Sequence, residues 1–356
     1  MDWDAILPRL PWVEEMRACE QNPAWHAEGD VLTHTMMVVE ALVADPAWRA
    51  LDVTERGELF WAAVLHDIGK PSRQRAEADG DLSSPGHARR GEVMARTFLW
   101  RCGWEPAARE RVCHLVRHHM APPRFILKDD PSRELIAVAA EVPLATLAIL
   151  SRADINGRIA PDLAEFHERL ELGLVLAAEI GCDAGPYPFS SDHARVEFFR
   201  TPGRDPGWEA HDDSWAQATV LCGLPGAGKD RWVAEHAKGQ QMVSLDDIRA
   251  ERAYRGKPNG VIAAAARERA RELLRARTPF VWNATNLSRQ QRGRPVGLCL
   301  DYHASVRIVS VEAGVAQIVE RNAARPGGGV PLEVIERMLA RWEFPSPTEA
   351  HRVEFA

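Results

Sequence analysis

No run of the chain approaches the ~18 apolar residues of a membrane-spanning helix, so no transmembrane segment and no membrane partner are expected. The opening stretch MDWDAILPRLPW lacks the basic and then apolar pattern of a secretory signal. No two cysteines stand as Cys-x-x-Cys: Cys19, Cys102, Cys113, Cys182, Cys222 and Cys299 are scattered. That argues against a disulfide framework or a structural zinc site and fits a reducing, cytoplasmic setting. There is no internal repeat and no low-complexity tract. With 46% hydrophobic and 27% charged residues the balance is globular, and 356 residues suffice for two domains.

The net charge of −7 hides an asymmetry. From Gln217 onward there are 21 Lys and Arg against 15 Asp and Glu (+6), and the rest has 23 against 36 (−13). An acidic half suits divalent metals and a basic half suits a phosphate-rich substrate, although solvated surfaces would give the same numbers.

The periodicity changes along the chain. Up to about residue 182, apolar residues recur at helical spacing through Val31–Val43, Leu59–Ile68, Val93–Trp100, Arg109–Val116, Leu135–Leu150 and Leu163–Ile180, which predicts an all-α bundle. Residues 183–215 are rich in Gly, Pro, Ser and Asp and read as a linker. Within them, Arg195-Val-Glu-Phe-Phe is open to pairing as a short strand. From 216 to 356 short apolar runs (ATVLC, MVSL, PFVWNAT, SVRIVSV) alternate with helical stretches, which predicts an α/β domain with a mainly parallel sheet.

ATVLC-GLPGAGKD-RWVAEHA reads strand, glycine loop, helix. Gly223, Leu224, Pro225, Gly226, Ala227 and Gly228 form a loop whose backbone amides converge on phosphates at a helix N-terminus. Lys229 is placed to neutralise the β/γ-phosphates. The next residue is Asp230 rather than Ser or Thr. A carboxylate there is a candidate Mg²⁺ ligand, or a simple partner for the helix dipole. Ser244-Leu-Asp246-Asp247-Ile-Arg249 ends the next strand, and carboxylates in that position face the ligand crevice. Asp246 or Asp247 can accept a proton from an attacking hydroxyl, and Arg249 can clamp a phosphate. The plain alternative is an N-cap followed by surface charges. Arg321 and Arg325 share one helix face before Gly327-Gly328-Gly329, the form of a lid over a nucleotide.

GLPGAGKD, SLDDIR and RNAAR, in this order over about residues 217–345, resemble the 5′-hydroxyl polynucleotide kinase family. The resemblance implies ATP or another nucleoside triphosphate with Mg²⁺. It makes Asp246 the general base, puts Arg249 on the nucleic-acid phosphate, and puts Lys229, Arg321 and Arg325 on the nucleoside triphosphate. Asn283, in FVWNATN, stands where that family has an acidic residue, which turns attention to Asp230 as the metal ligand.

The helical half holds His34, His66-Asp67, His87, His114, His118, His119 and Asp154. A lone histidine is more often a core or surface residue, but polar His66 and Asp67 at the end of an apolar helix need a partner, and a metal provides one. The set resembles the H…HD…H…H…D signature of the HD phosphohydrolase superfamily over about residues 25–180. The resemblance implies one or two divalent transition metals. His34, His66 and Asp154 would hold one, His87 and His119 the other, and Asp67 would bridge them. Lys70 and Arg158 are candidate phosphate contacts. His119 is the fourth histidine by spelling, with His118 and His114 as alternatives.

The whole chain resembles the bacterial HD–polynucleotide kinase end-healing enzymes. That implies a phosphotransferase and a phosphohydrolase acting on the two ends of RNA or DNA breaks, with a nucleic-acid ligase as a possible partner. Two other readings stay open. One is a small-metabolite or nucleotide kinase joined to an HD nucleotide hydrolase. The other is a nucleotide-sensing regulatory protein.

Overall fold

The computed structural model describes residues 2–78, 80–324 and 329–356. The chain divides into two compact units, Met1–Pro188 and Phe189–Ala356.

The first unit is helical. Its main helices are α1 (Val31–Ala44), α2 (Val53–Leu65), α3 (His87–Arg101), α4 (Pro106–His118), α5 (Pro131–Ala139), α6 (Leu144–Asn156) and α7 (Leu163–Glu179). Local chemistry sets their starts. The Asp30 carboxylate accepts the Thr33 N–H at 2.8 Å to open α1, and Asp52 and Glu55 form a capping box at α2. The Leu135–Leu150 stretch that reads as one helical run is two helices, α5 and α6, turned by 105°. Pro143 is the reason: it serves as the N-cap of α6 and cannot continue α5. α1, α2, α4 and α6 bury Val38, Leu42, Leu59, Leu65, Val112, Leu147 and Leu150. No single helix among the described residues is long and apolar enough to cross a membrane.

The second unit opens with α8 (Asp192–Arg200). This corrects the strand considered for Arg195–Phe199 and places a helix within the stretch read as linker. The Ser191 hydroxyl accepts the Ala194 N–H at 3.0 Å, and Arg195 pairs with Asp192 one turn back, so the segment is capped and stapled as a helix. Five parallel strands follow: β1 (Gln217–Cys222), β2 (Gln241–Ser244), β3 (Phe280–Asn283), β4 (Ser305–Ser310) and β5 (Arg352–Phe355), in the order β2-β3-β1-β4-β5. β1 is central and buried from Ala218 to Cys222, which is why its run is apolar without alternation. The intervening helices are α9 (Lys229–His236), α10 (Leu245–Ala250), α11 (Asn259–Arg275), α12 (Arg289–Asp301), α13 (Val315–Ala323) and α14 (Leu332–Leu339). All strands being parallel, the loops after β1, β2 and β3 open at one edge of the sheet.

Candidate active sites

In the helical unit α1, α2, α3, α4 and α6 converge on one buried cluster. His34 lies on the buried face of α1, His66 caps α2, and Asp67 follows in the turn. His87 opens α3, His119 caps α4, and Asp154 comes from the last turn of α6. Gly69 permits the approach of the His66–Asp67 turn to α3. A Cβ there would lie 2.2 Å from the His87 carbonyl oxygen and 2.6 Å from the Gly91 nitrogen.

Two triads result. One nitrogen or oxygen from each of His34, His66 and Asp154 lies within 4.8 Å of the others, and the same holds for Asp67, His87 and His119. Asp67 faces both: Oδ2 is 3.1 Å from His66 Nε2 and 3.7 Å from His34 Nε2, whereas Oδ1 is 3.3 Å from His87 Nε2 and 3.7 Å from His119 Nε2. The structure therefore brings His119 into the cluster and leaves His118 and His114 outside it, beside Glu141.

The electrostatics follow from burial and charge. Burial raises the Asp67 carboxyl, but the charges of His66 and Lys70 outweigh it, and the net shift is well below the usual carboxylate range. Asp154 shifts the same way because Arg158 and His34 outweigh its burial. Burial lowers His87, and burial with the neighbouring His66 pushes His119 down to about 3. Burial also pulls on His34, but its bonds to Asp154 and Glu28 prevail and raise it. Carboxylates that stay ionised, beside His87 and His119 whose protonation burial disfavours, suit a divalent metal. His66 Nε2, Asp67 Oδ1 and His87 Nε2 are buried with no hydrogen-bond partner, a cost that coordination would remove. The nitrogen and oxygen donors thus fit one or two divalent metals.

Lys70 and Arg158 enter this site as counter-ions. Lys70 Nζ is 2.7 Å from Asp67 Oδ2 and donates to Gln21 Oε1 at 2.6 Å. Arg158 binds both Asp154 oxygens, its Nε 3.3 Å from Oδ1. Glu28 was not visible as a site residue in the sequence. Its Oε1 is 2.7 Å from His26 Nδ1 and 2.9 Å from His34 Nδ1, and its Oε2 accepts the Ile159 N–H at 2.9 Å. It orients His34 from behind. Its nearness to His34 in HAEGDVLTH is the only signal, and the segment around it has no periodicity to show where its side chain points.

In the second unit Gly223, Gly226 and Gly228 all have positive φ (147°, 82° and 112°), so the loop needs glycine at these positions. A Cβ on Gly223 would lie 2.2 Å from the Val311 carbonyl oxygen. Lys229 Nζ donates to the Gly223 and Leu224 carbonyls, both at 3.0 Å, and so folds over the loop. Arg321 Nη1 reaches the same loop, 3.3 Å from the Gly226 oxygen and 3.2 Å from that of Ala227. Arg325 lies outside the described residues. Asp230 Oδ1 accepts a 2.6 Å hydrogen bond from Asn283 Nδ2 at the end of β3. Asn286 Nδ2 donates to the Leu221 oxygen at 2.8 Å and Gly223 N–H to the Thr285 oxygen at 2.9 Å, so the segment after β3 braces the loop. Asp246 pairs with Arg249, and both side chains are largely exposed, beyond the end of β2. The Ser244 hydroxyl caps α10 by accepting the Asp247 N–H at 3.1 Å, so the N-cap and the exposed acid–arginine pair are both present.

The fold thus consists of a helical HD region followed by a P-loop domain. The HD domain family model matches residues 31–155 and the AAA domain model residues 219–345. Among curated proteins, the Multifunctional CCA protein of Halorhodospira halophila is 33% identical over 116 residues, 33% of this chain and 25% of that protein. The A-adding tRNA nucleotidyltransferase of Deinococcus radiodurans is 29% identical over 184 residues, 50% of this chain and 42% of that protein. The chain spans less than half the length of these curated relatives. Two solved structures are similar in part. A chain of the Pnkp1/Rnl/Hen1 RNA repair complex has 21% identity and a TM-score of 0.33, with 37% of this chain and 45% of that one covered. A gluconokinase from Sinorhizobium meliloti 1021 has 20% identity and a TM-score of 0.30, with 40% and 82% covered.

Proposed function

We propose that the chain is a bifunctional nucleic-acid end-healing enzyme: a 5′-hydroxyl polynucleotide kinase joined to a 2′,3′-cyclic phosphodiesterase and 3′-phosphatase. The observation that carries the reading is the presence, in one chain, of two clusters whose chemistry suits phosphate. One is the Asp67-centred pair of triads, and the other is the glycine loop closed by Lys229 and Arg321. The +6 charge from Gln217 onward suits a polyanionic acceptor. The tRNA in the name of the Deinococcus relative agrees with a nucleic-acid substrate.

In the kinase reaction Lys229 and the loop amides hold the β- and γ-phosphates of ATP, and Arg321 neutralises charge on the transferring group. Asp246 accepts the proton of the attacking 5′-hydroxyl, and Arg249 holds the adjoining phosphate. The γ-phosphoryl passes to that oxygen, leaving ADP and a 5′-phosphate. Asp230 is the carboxylate available to Mg²⁺, held in position by Asn283.

In the hydrolytic site His34, His66 and Asp154 would hold one divalent metal, His87 and His119 the other, with Asp67 between. Such metals supply water activation and charge neutralisation. Lys70 and Arg158 bring positive charge to the phosphate while keeping Asp67 and Asp154 ionised. The product is a 3′-hydroxyl end, which with the 5′-phosphate gives a ligase its two substrates.

The test is transfer of labelled γ-phosphate from ATP to an oligonucleotide with a free 5′-hydroxyl. It is run beside release of phosphate from 3′-phosphate and 2′,3′-cyclic ends across a panel of divalent metals. The His66→Ala/Asp67→Ala chain should lose hydrolysis and keep kinase activity, and Lys229→Ala should do the reverse. Absence of transfer to oligonucleotides of any length, with a small hydroxyl compound accepting instead, would replace this reading by a small-molecule kinase.

A further inference from the structure

His114 and His118 are left over by the two triads. They stand four residues apart in HLVRH and share a face at the C-terminal end of α4. Two histidines at this spacing on one helix are an established way of presenting nitrogen to zinc. Opposite them Glu141 lies in the turn that joins α5 to α6. One nitrogen from each histidine and one Glu141 oxygen lie within 4.8 Å of one another. His118 Nε2 is 2.7 Å from Glu141 Oε2, and His114 Nδ1 is 3.8 Å from the same oxygen.

A hydrogen bond accounts for His118 and Glu141 but leaves His114 unexplained. Its Nδ1 is buried and makes no hydrogen bond. A tetrahedral zinc ion with ligand bonds of about 2.0–2.1 Å sets its ligand atoms about 3.3 Å apart. The observed 2.7 and 3.8 Å from Glu141 to the two histidines bracket that edge, and the histidine nitrogens lie within 4.8 Å of each other. The three side chains keep 13%, 16% and 12% of their surface exposed, which leaves a path for an ion and a water as fourth ligand.

We propose that His114, His118 and Glu141 form a third metal site, separate from the Asp67-centred pair, that takes a divalent transition metal of the zinc class. The site would clamp the end of α4 to the α5–α6 turn. The residue after His118 is His119, whose carbonyl accepts the Ser151 hydroxyl at 2.7 Å and whose imidazole faces Asp67. A metal on His118 would therefore fix the backbone that delivers His119.

The experiment uses the full chain, stripped of metal by a chelator and titrated with Co²⁺, with the bound ion counted by elemental analysis. The His66→Ala/Asp67→Ala chain should still bind one Co²⁺ with the intense visible absorption of a four-coordinate ion. Adding Glu141→Gln should remove that ion, and adding Glu141→Cys instead should keep it and create a thiolate-to-cobalt charge-transfer band. Absence of bound Co²⁺ in the His66→Ala/Asp67→Ala chain, with its helical circular dichroism intact, would overturn the proposal. Retention of the ion unaltered by Glu141→Gln would also overturn it. Should the combined variants fail to fold, Glu141→Gln alone decides: the chain should hold one ion fewer than the unaltered protein, and an equal count refutes the site.

Discussion

Glu28 is where the link from hydrogen bonding to metal affinity is most exposed to test. Its carboxylate is almost wholly buried and serves three donors: His26, His34 and the Ile159 amide. Glu28→Gln keeps the volume but replaces one acceptor oxygen by a donor NH₂, so one of those N–H groups meets another donor. Losing the partner behind a metal-binding histidine typically costs 10–100-fold in affinity. Here His34 Nδ1 has a second acceptor, the Gly157 carbonyl at 3.2 Å, which keeps the ring orientation and tautomer. The loss should therefore fall at the low end, about tenfold or ~1.4 kcal/mol. Glu28→Ala, which leaves all three donors without their partner, should cost more. The measurement is a Mn²⁺ binding isotherm on the full chain, with 3′-end hydrolysis followed in parallel. Kinase activity serves as the control, because Glu28 and the glycine loop belong to different units. An Mn²⁺ affinity unchanged in Glu28→Gln would refute the coupling, and a parallel fall in kinase activity would refute the independence of the two sites.

Three further outcomes follow from the second unit. Gly223→Ala forces a Cβ onto the Val311 carbonyl at a φ of 147°, so kinase activity should vanish and the unit should lose ~1–3 kcal/mol in denaturant unfolding, with 3′-end hydrolysis retained. Asp230→Asn leaves two amides facing each other and should weaken Mg²⁺-dependent nucleotide binding, measured with a fluorescent ATP analogue. The exchange Asp230→Asn/Asn283→Asp should restore it, and an exchange no better than the single change refutes the pairing. His351 is lowered from its ordinary 6.5 by burial and the nearby His193, and its Nδ1 accepts the Val306 N–H at 3.0 Å. The unfolded chain then binds that proton more readily, so the stability is present above pH ~6.5 and lost as pH falls below it. Urea midpoints across this range should decline less in His351→Asn, which keeps an acceptor but does not titrate.

Much of this arrangement is legible in the residues because its signals are local. The glycine loop declares itself through strand, Gly spacing and Lys229, and Arg321 Nη1 lies against the Gly226 and Ala227 carbonyls of that loop. The His66–Asp67 turn is legible because two polar groups end an apolar helix. What is hidden comes from irregular segments and turns, whose side-chain directions no periodicity shows. Glu28 meets His34 from an irregular segment, and Glu141 meets His118 from a turn 23 residues away. The helix at Arg195–Phe199 is hidden for another reason. Its buried residues Ala194, Val196 and Phe198 alternate as a strand's would, and only the Ser191 cap distinguishes the two. The α5–α6 corner carries a signal in Pro143, but the helical spacing of Leu135–Leu150 reads straight through it.

Asp67 presents one oxygen to each triad, so the two halves of the buried centre share a single carboxylate. A cation held by one half would fix the rotamer and the charge that the other half sees, and such linkage is reciprocal. With one half vacated, an oxygen of a buried carboxylate would lack a counter-charge, unless Lys70 supplied it from 2.7 Å. Lys70 already meets one of those oxygens, so a single carboxylate ties the charge balance of both halves to the position of one ammonium.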